Sequence, residues 1–111
     1  MTTQENTSIT IENGQEAIKL NYENLRKGVL ALRAVNHRLR QEIIELLQNK
    51  TQTTVTDIYV KLRIEQSVAS QHLAILRRAD IVNTTRDGKF IYYTLNEDKL
   101  RVIANLVEEL K

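Results

Sequence analysis

The stretch from Glu65 to Val82, EQSVASQHLAILRRADIV, separates its polar and apolar residues onto opposite faces of a helix. At 100° per residue, one face carries Ser67, Ser70, Gln71, Ala74 and Arg78. The opposite face carries Ala69, His72, Leu73 and Leu76. Short hydrogen-bonding groups dominate the first face, whereas an ordinary solvated helix more often carries Lys and Glu throughout. Such a face can lie close to another surface, and a DNA groove is the leading candidate.

Length and composition favour a folded protein of modest size. The 111 residues suit one domain that dimerisation would help to stabilise. With 41% hydrophobic and 27% charged residues, the chain is too apolar to be wholly disordered. No apolar run approaches a membrane span, and the N-terminal residues lack the basic start and apolar core of a signal peptide, so we expect a cytoplasmic protein without a membrane partner.

Positive charge is concentrated in the middle of the chain, although the net charge is only +2. The segment 26–50 has 6 cations and 2 anions, and the segment 61–89 has 6 cations and 3 anions. This distribution suits a polyanionic partner without requiring one.

The N-terminal region divides into an arm and a helix. Residues 1–14 are rich in Thr, Asn, Gln and Glu and are predicted to form a mobile arm, leaving 15–111 as one domain. From about Gln15 the pattern is helical, and its apolar residues recur at steps of 4, 3, 4 and 3: Ile18, Tyr22, Leu25, Val29 and Leu32. This narrow stripe is typical of helices that pair.

Two further helices precede the Glu65–Val82 segment. Asn36 is predicted to cap a helix whose inner side carries Leu39, Ile43, Leu46 and Leu47. Thr54 and Asp57 resemble a capping box that opens a short helix, VTDIYVKL.

The C-terminal third predicts a hairpin and a last helix. Ile81–Thr85 and Phe90–Leu95 are β-prone runs, and the Asp87-Gly88 pair between them is a strong turn signal. The last helix has a second apolar stripe, formed by Leu100, Ile103, Val107 and Leu110. The predicted fold is therefore mainly α, with five helices and a two-stranded hairpin. A homodimer through the first and last helices would bury both stripes.

The residues from about Arg38 to Leu110 resemble the arsenic-repressor (ArsR) family of winged helix-turn-helix transcription regulators. The most specific match is QSVASQHLAILRRADIV, which is similar to the family's recognition helix. RLRQEIIELL, TVTDIYVKL and the wing RDGKFIYYTL match in the family's order. The resemblance implies a cytoplasmic prokaryotic homodimer that binds double-stranded DNA, with a repressor as the expected role.

The chain departs from the family pattern at three points. Arg63, before the recognition helix, and Asp80, after it, stand where family members often or commonly have Gly. The third departure concerns the residues with which many family members bind and sense a metal. The short helix has no Cys here, and the last helix has no His. Since transition-metal sites need several convergent ligands of this kind, we expect neither a metal site nor a cofactor.

The resemblance places the recognition helix in the DNA major groove and the wing beside the minor groove or the phosphates. The residues that it predicts to contact DNA are Gln66, Ser67, Ser70, Gln71, Arg78, Arg86 and Lys89. Lys61 and Arg77 could add phosphate contacts. His72 lies on the apolar side, and we expect a half-buried histidine bonded to backbone or to a DNA phosphate rather than a ligand or catalyst.

Two other classes of function compete with a DNA-binding regulator. An enzyme finds little support because the chain has no Gly-rich phosphate loop and no Cys, and neither His37 nor His72 has an evident partner acid or nucleophile. A winged-helix module that binds protein remains the alternative, but it would favour an apolar recognition face. No pattern identifies an inducer, the operator, or the sign of regulation.

Overall fold

The computed structural model describes residues 8–9, 17–49 and 52–111. Its elements, in chain order, are β1 (Ser8–Ile9), β2 (Ile18–Lys19), α1 (Tyr22–Val35), α2 (Arg38–Gln48), β3 (Thr53–Thr54), α3 (Val55–Leu62), α4 (Gln66–Arg78), β4 (Val82–Asp87), β5 (Phe90–Leu95) and α5 (Glu97–Leu110). The chain divides into two compact units, Met1–Leu30 and Ala31–Lys111. The winged helix-turn-helix fold, with five helices in the described ranges and a hairpin wing, is confirmed.

In the first unit, β1 pairs with β2 in an antiparallel register that opposes Ile9 and Ile18. The predicted arm, 1–14, otherwise lies outside the described residues. The prediction of a helix from about Gln15 is wrong, because α1 begins at Tyr22 and Ile18 belongs to β2. The side-chain Oδ1 of Asn21 accepts the backbone N–H of Asn24 at 2.9 Å, so this residue caps the helix and sets its start.

The second unit has a core of aliphatic side chains from every helix in it and from the start of β4. Within each helix, these residues recur at the 3.6-residue period that places them on one face. The two-residue alternation of a strand would not place them together. The fully or nearly fully buried apolar residues are Ala31, Ala34, Ile43, Ile44, Leu47, Ile58, Ala69, Leu73, Leu76, Ile81, Val82 and Ile103.

The cap of α2 differs from the predicted one. The sequence predicts Asn36 as the cap, but His37 occupies this position, with extended backbone and with Nδ1 accepting the N–H of Leu39 at 3.1 Å. A histidine cap works only while Nδ1 is unprotonated, because the ring nitrogen must supply a lone pair. Asn36 instead donates its backbone N–H to the carbonyl of Arg33 and continues the end of α1.

The sheet of the second unit has three antiparallel strands in the order β3-β5-β4. The hairpin of β4 and β5 turns through Gly88 and Lys89, and Gly88 has a φ of 64° at the first central position, where a type II′ turn favours glycine. Strand β3 was not predicted; Thr53 and Thr54 pair with Tyr93 and Tyr92. This pairing fixes the base of the wing to the start of α3.

Helix α5 packs on the rest of the second unit through the buried Ile103 and the partly buried Leu100. Its other large apolar side chains are exposed: Val102, Leu106, Val107 and Leu110. The predicted stripe is therefore divided between the core and the surface. Across the described ranges, no helix combines the length and the apolar character that crossing a membrane requires.

Candidate nucleic-acid interface

Helix α4 presents the two faces that the sequence predicts. Ala69, Leu73 and Leu76 are buried in the core. The exposed polar residues of the opposite side are Gln66, Ser67, Ser70, Gln71 and Arg78. Ala74 lies among them and is partly buried. Since small and flexible polar groups lie along a rigid, core-anchored helix, this face can approach a groove without a backbone clash.

The turn between α3 and α4 is a Schellman motif. The N–H of Arg63 donates to the carbonyl of Val60 at 3.2 Å, and the N–H of Ile64 donates to that of Tyr59 at 3.1 Å. Arg63 has the left-handed conformation that closes this motif, with φ 59° and ψ 47°. The motif satisfies the last carbonyls of α3 and sets the angle at which α4 leaves the turn.

Helix α4 ends in a second Schellman motif. The N–H of Asp80 donates to the carbonyl of Arg77, and the N–H of Ile81 donates to that of Leu76, both at 2.9 Å. Asp80 has a φ of 67°. Both non-glycine residues that replace the family's frequent glycines therefore have left-handed backbone, so the departures preserve the turn geometry. Ile81 is completely buried and anchors the end of the motif.

The N-terminus of α4 has no side-chain cap, although Glu65 occupies the cap position. Gln66 and Ser67 follow it and are exposed. Uncapped N–H groups at a helix start can bind a phosphate oxygen, because the helix dipole favours negative charge there.

The wing places two cations at its tip. Arg86 and Lys89 are exposed, and the Nε of Arg86 donates to the carbonyl of Gly88 at 3.3 Å. The Nζ of Lys89 lies 5.8 Å from the centre of the Phe90 ring. These contacts are weak enough for both side chains to turn toward a polyanion.

His72 has a hydrogen-bond partner that the sequence does not predict. Its Nδ1 lies 3.0 Å from Nη1 of Arg40, rather than beside a backbone group. The expected half-burial is observed, and the His37 ring lies 4.7 Å away between centroids. Burial, followed by the nearby His37 and Arg40, lowers the pKa of His72 from the ordinary value of 6.5. The neutral imidazole is therefore favoured near neutral pH.

Arg40 is a residue of this site that the sequence does not predict. Besides His72, its guanidinium contacts the end of α1, where Nε donates to the carbonyl of Ala34 at 2.6 Å and Nη2 to that of Arg33 at 3.1 Å. One signal could have revealed it. A cation in the first turn of a helix opposes the helix dipole. Its presence there indicates another role, such as donating hydrogen bonds to the last carbonyls of the preceding helix.

Within the described ranges, no group of three or more His, Cys, Asp or Glu side chains could hold a metal ion. His37 and His72 are close together, but each uses its Nδ1 in a hydrogen bond, to Leu39 and Arg40 respectively.

Residues 37–84 match the family model described as "Bacterial regulatory protein, arsR family". Similarity to curated proteins extends further along the chain. The transcriptional activator HlyU of Vibrio cholerae is 35% identical over 79% of this chain and 81% of its own length. The transcriptional repressor PagR of Bacillus anthracis is 30% identical over 84% of this chain and 93% of its own length.

The fold is also similar to a solved homodimeric structure. It is the winged helix-turn-helix DNA-binding domain of a possible ArsR-family regulator from Mycobacterium bovis, determined by NMR in solution. That structure has a TM-score of 0.69 and 26% identity, covering 80% of this chain and 82% of that chain.

Proposed function

The chain belongs to the arsR family of bacterial regulatory proteins, and we propose on this premise that it is a homodimeric repressor that reads DNA through α4. That it is a DNA-binding transcription regulator, and not an enzyme, follows from the family. The main support for DNA reading through α4 is the exposed polar face of this helix, whose opposite face is buried in the core. We further infer that 15–111 is the functional domain and that it works in the cytoplasm, where its DNA target lies.

Ser67, Ser70 and Gln71 are the proposed base-reading residues. Glutamine can donate and accept in one plane, which suits the N6 and N7 atoms of adenine. The serine hydroxyls can adapt to either a base edge or a phosphate. All three are exposed on the face opposite the core.

The remaining contacts are proposed to be with the DNA backbone. Gln66 lies at the uncapped start of α4 and Arg78 at its end, so these two residues bracket the base-reading face. Arg86 and Lys89 on the wing extend the cationic surface toward the adjacent minor groove. Backbone contacts add affinity for any duplex and position the helix, but they carry little sequence information.

We propose that the dimer forms through α1 and α5. Each helix has large apolar side chains that its own unit leaves exposed, among them Leu25 of α1 and Val102 of α5. A second copy would cover such residues in a self-complementary interface. The two recognition helices would then meet half-sites about one helical turn apart.

Repression is the proposed outcome, because a dimer bound at a promoter excludes polymerase without needing a surface that contacts it. The proposal includes no transition-metal sensor, since neither Cys nor a cluster of three potential ligands is found in the described ranges. Strong, saturable thermal stabilisation by zinc or copper would overturn that part.

Footprinting on the gene's own upstream DNA tests the proposal. We expect two protected half-sites related by two-fold symmetry, with a spacing of about one helical turn between their centres. In transcription assays, the same concentration of protein should lower transcript yield from that promoter. Protection without symmetry, or increased yield, would contradict the homodimeric repressor. Binding to a protein partner without any footprint would favour the protein-binding module.

A further inference from the structure

We propose that Arg40 is a positioning residue for DNA reading, tying α4 to the α1–α2 junction through neutral His72, so that sequence discrimination falls when His72 gains a proton. The inference rests on the proposed function, because it concerns how α4 is held for that task. It assigns to Arg40 and His72 a role distinct from direct contact with bases.

The guanidinium of Arg40 uses three nitrogens on three different acceptors. Two bonds reach the carbonyls of Ala34 and Arg33, which are among the last of α1, and the third reaches Nδ1 of His72 in the middle of α4. The planar, forked geometry of arginine permits this arrangement, and a lysine ammonium cannot span it in the same way. Three helices are therefore joined at one side chain.

The donors and acceptors of the two side chains fix the direction of the Arg40–His72 hydrogen bond. A guanidinium has only donors, so Nδ1 of His72 must be the acceptor and its proton must lie on Nε2. Protonation places a proton on Nδ1, which removes the acceptor and sets a second cation beside Arg40. The same event that charges the imidazole thus breaks the tie to α4.

The charged and titratable groups that act on His72 are Arg40 and His37, and neither favours the protonated form. His37 is itself an Nδ1 acceptor, toward the N–H of Leu39, and its ring stands 4.7 Å from that of His72. Protonation of His72 therefore removes its hydrogen bond to Arg40 and places two positive charges side by side. The polar face of α4 is affected because Gln71 adjoins His72 in sequence and Ser70 lies half a turn away.

Protonation of His72 adds a positive charge and also displaces the polar face of α4. These two changes have different effects on DNA binding. Positive charge near the duplex raises affinity for any sequence, whereas displacement of Ser70 and Gln71 lowers only the preference for the correct sequence. The ratio of the two affinities, for the upstream duplex and for a scrambled duplex, therefore isolates positioning from charge.

The experiment measures this ratio by fluorescence anisotropy from about pH 7.5 downward, well past the ordinary imidazole pKa of 6.5, because the pKa of His72 is lowered. In the unmodified protein we expect the ratio to fall about tenfold toward acid pH, the size of one charge-assisted hydrogen bond. His72→Asn keeps an acceptor near the position of Nδ1 and cannot titrate, so its ratio should stay high and flat. His37→Asn, which keeps a helix cap, is the matched control and should still lose discrimination.

Arg40→Lys supplies the reciprocal test. It should show a low ratio already above pH 7 and little further change on acidification, while circular dichroism verifies the fold at each pH. Nitrogen NMR of the unmodified protein, without DNA, should show the proton of His72 on Nε2. A proton on Nδ1 at neutral pH, or equal pH profiles for the unmodified protein and His72→Asn, would overturn the inference. A ratio of one at every pH would overturn the proposed function instead.

Discussion

Asn96 joins the start of α5 to the end of α4. Its Nδ2 donates to the carbonyl of Asp80 at 2.9 Å, while its Oδ1 accepts the N–H of Lys99 at 3.2 Å. The backbone N–H of Asn96 also donates to the carbonyl of Ile81 at 2.8 Å. A single amide side chain therefore caps the helix proposed for dimerisation and holds the turn that follows the helix proposed to read DNA.

Replacement of Asn96 separates these two roles. Asn96→Ala removes both side-chain bonds and should lower the free energy of unfolding by about 2 kcal/mol, since a lost cap and a lost hydrogen bond each cost about 1 kcal/mol. Asn96→Asp keeps the cap and removes only the donor, so its loss should be about half as large. Urea denaturation measures both. No loss for Asp would show that the bond to Asp80 contributes nothing, and equal losses for Ala and Asp would show the same of the cap.

Arg63 is predicted to strain the turn before α4. A side chain in the left-handed region costs about 1 kcal/mol or more, whereas glycine avoids the clash but gives up backbone entropy. Arg63→Gly should therefore raise the free energy of unfolding by about 0.5 to 1 kcal/mol. Arg63→Ala is the control, because it removes the same charge yet keeps the Cβ atom. Stabilisation by Ala as large as by Gly would assign the effect to charge instead.

Local signals account for the parts of the fold that the sequence predicts. The helical period around Leu73 and the Asp87-Gly88 turn signal each depend on only a few neighbouring residues. Helix α4 and the hairpin can therefore be predicted from the sequence. Strand β3 has only two residues and exists because β5 lies beside it, which no local pattern reveals. The tie from Arg40 to His72 spans 32 positions and depends on the packed fold.

The two surfaces proposed to contact DNA, the polar face of α4 and the wing, should respond differently to mutation. Ser70→Ala with Gln71→Ala should reduce preference for the correct sequence, at about 1 to 3 kcal/mol for each lost base contact. Arg86→Ala or Lys89→Ala should weaken binding to every duplex and lower the salt slope by about 1. Anisotropy titrations at several salt concentrations measure both quantities. Equal losses on specific and random DNA from all four changes would contradict this division.

Val102 offers a direct test of the dimer interface. Its side chain is 62% exposed in a single chain, so Val102→Glu should leave the subunit folded. In the proposed dimer the new carboxylate would be buried against a partner, which should weaken association at least tenfold. Val60 of α3 is also 62% exposed and makes Val60→Glu a matched control. Sedimentation equilibrium measures the dimer constant. Equal association for both variants would place the interface elsewhere.

Stability should fall on acidification through His72. Its pKa is lowered in the folded protein, mainly by burial, so the unfolded chain binds the proton more readily. The full contribution is present above 6.5, the ordinary pKa, and is lost progressively as pH decreases toward the lowered value. Urea midpoints should therefore decrease below pH 6.5 more steeply in the unmodified protein than in His72→Asn. Parallel curves would contradict the assignment to His72.

Preference for a particular DNA sequence distinguishes a specific regulator from a nonspecific DNA-binding protein, and anisotropy of a labelled duplex from the gene's own upstream region measures that preference. An equal-length scrambled duplex is the control, at low and near-physiological salt. We expect preferential binding that survives the higher salt, because base contacts do not depend on counterion release. Weak and equal binding of both duplexes that vanishes at the higher salt would contradict it.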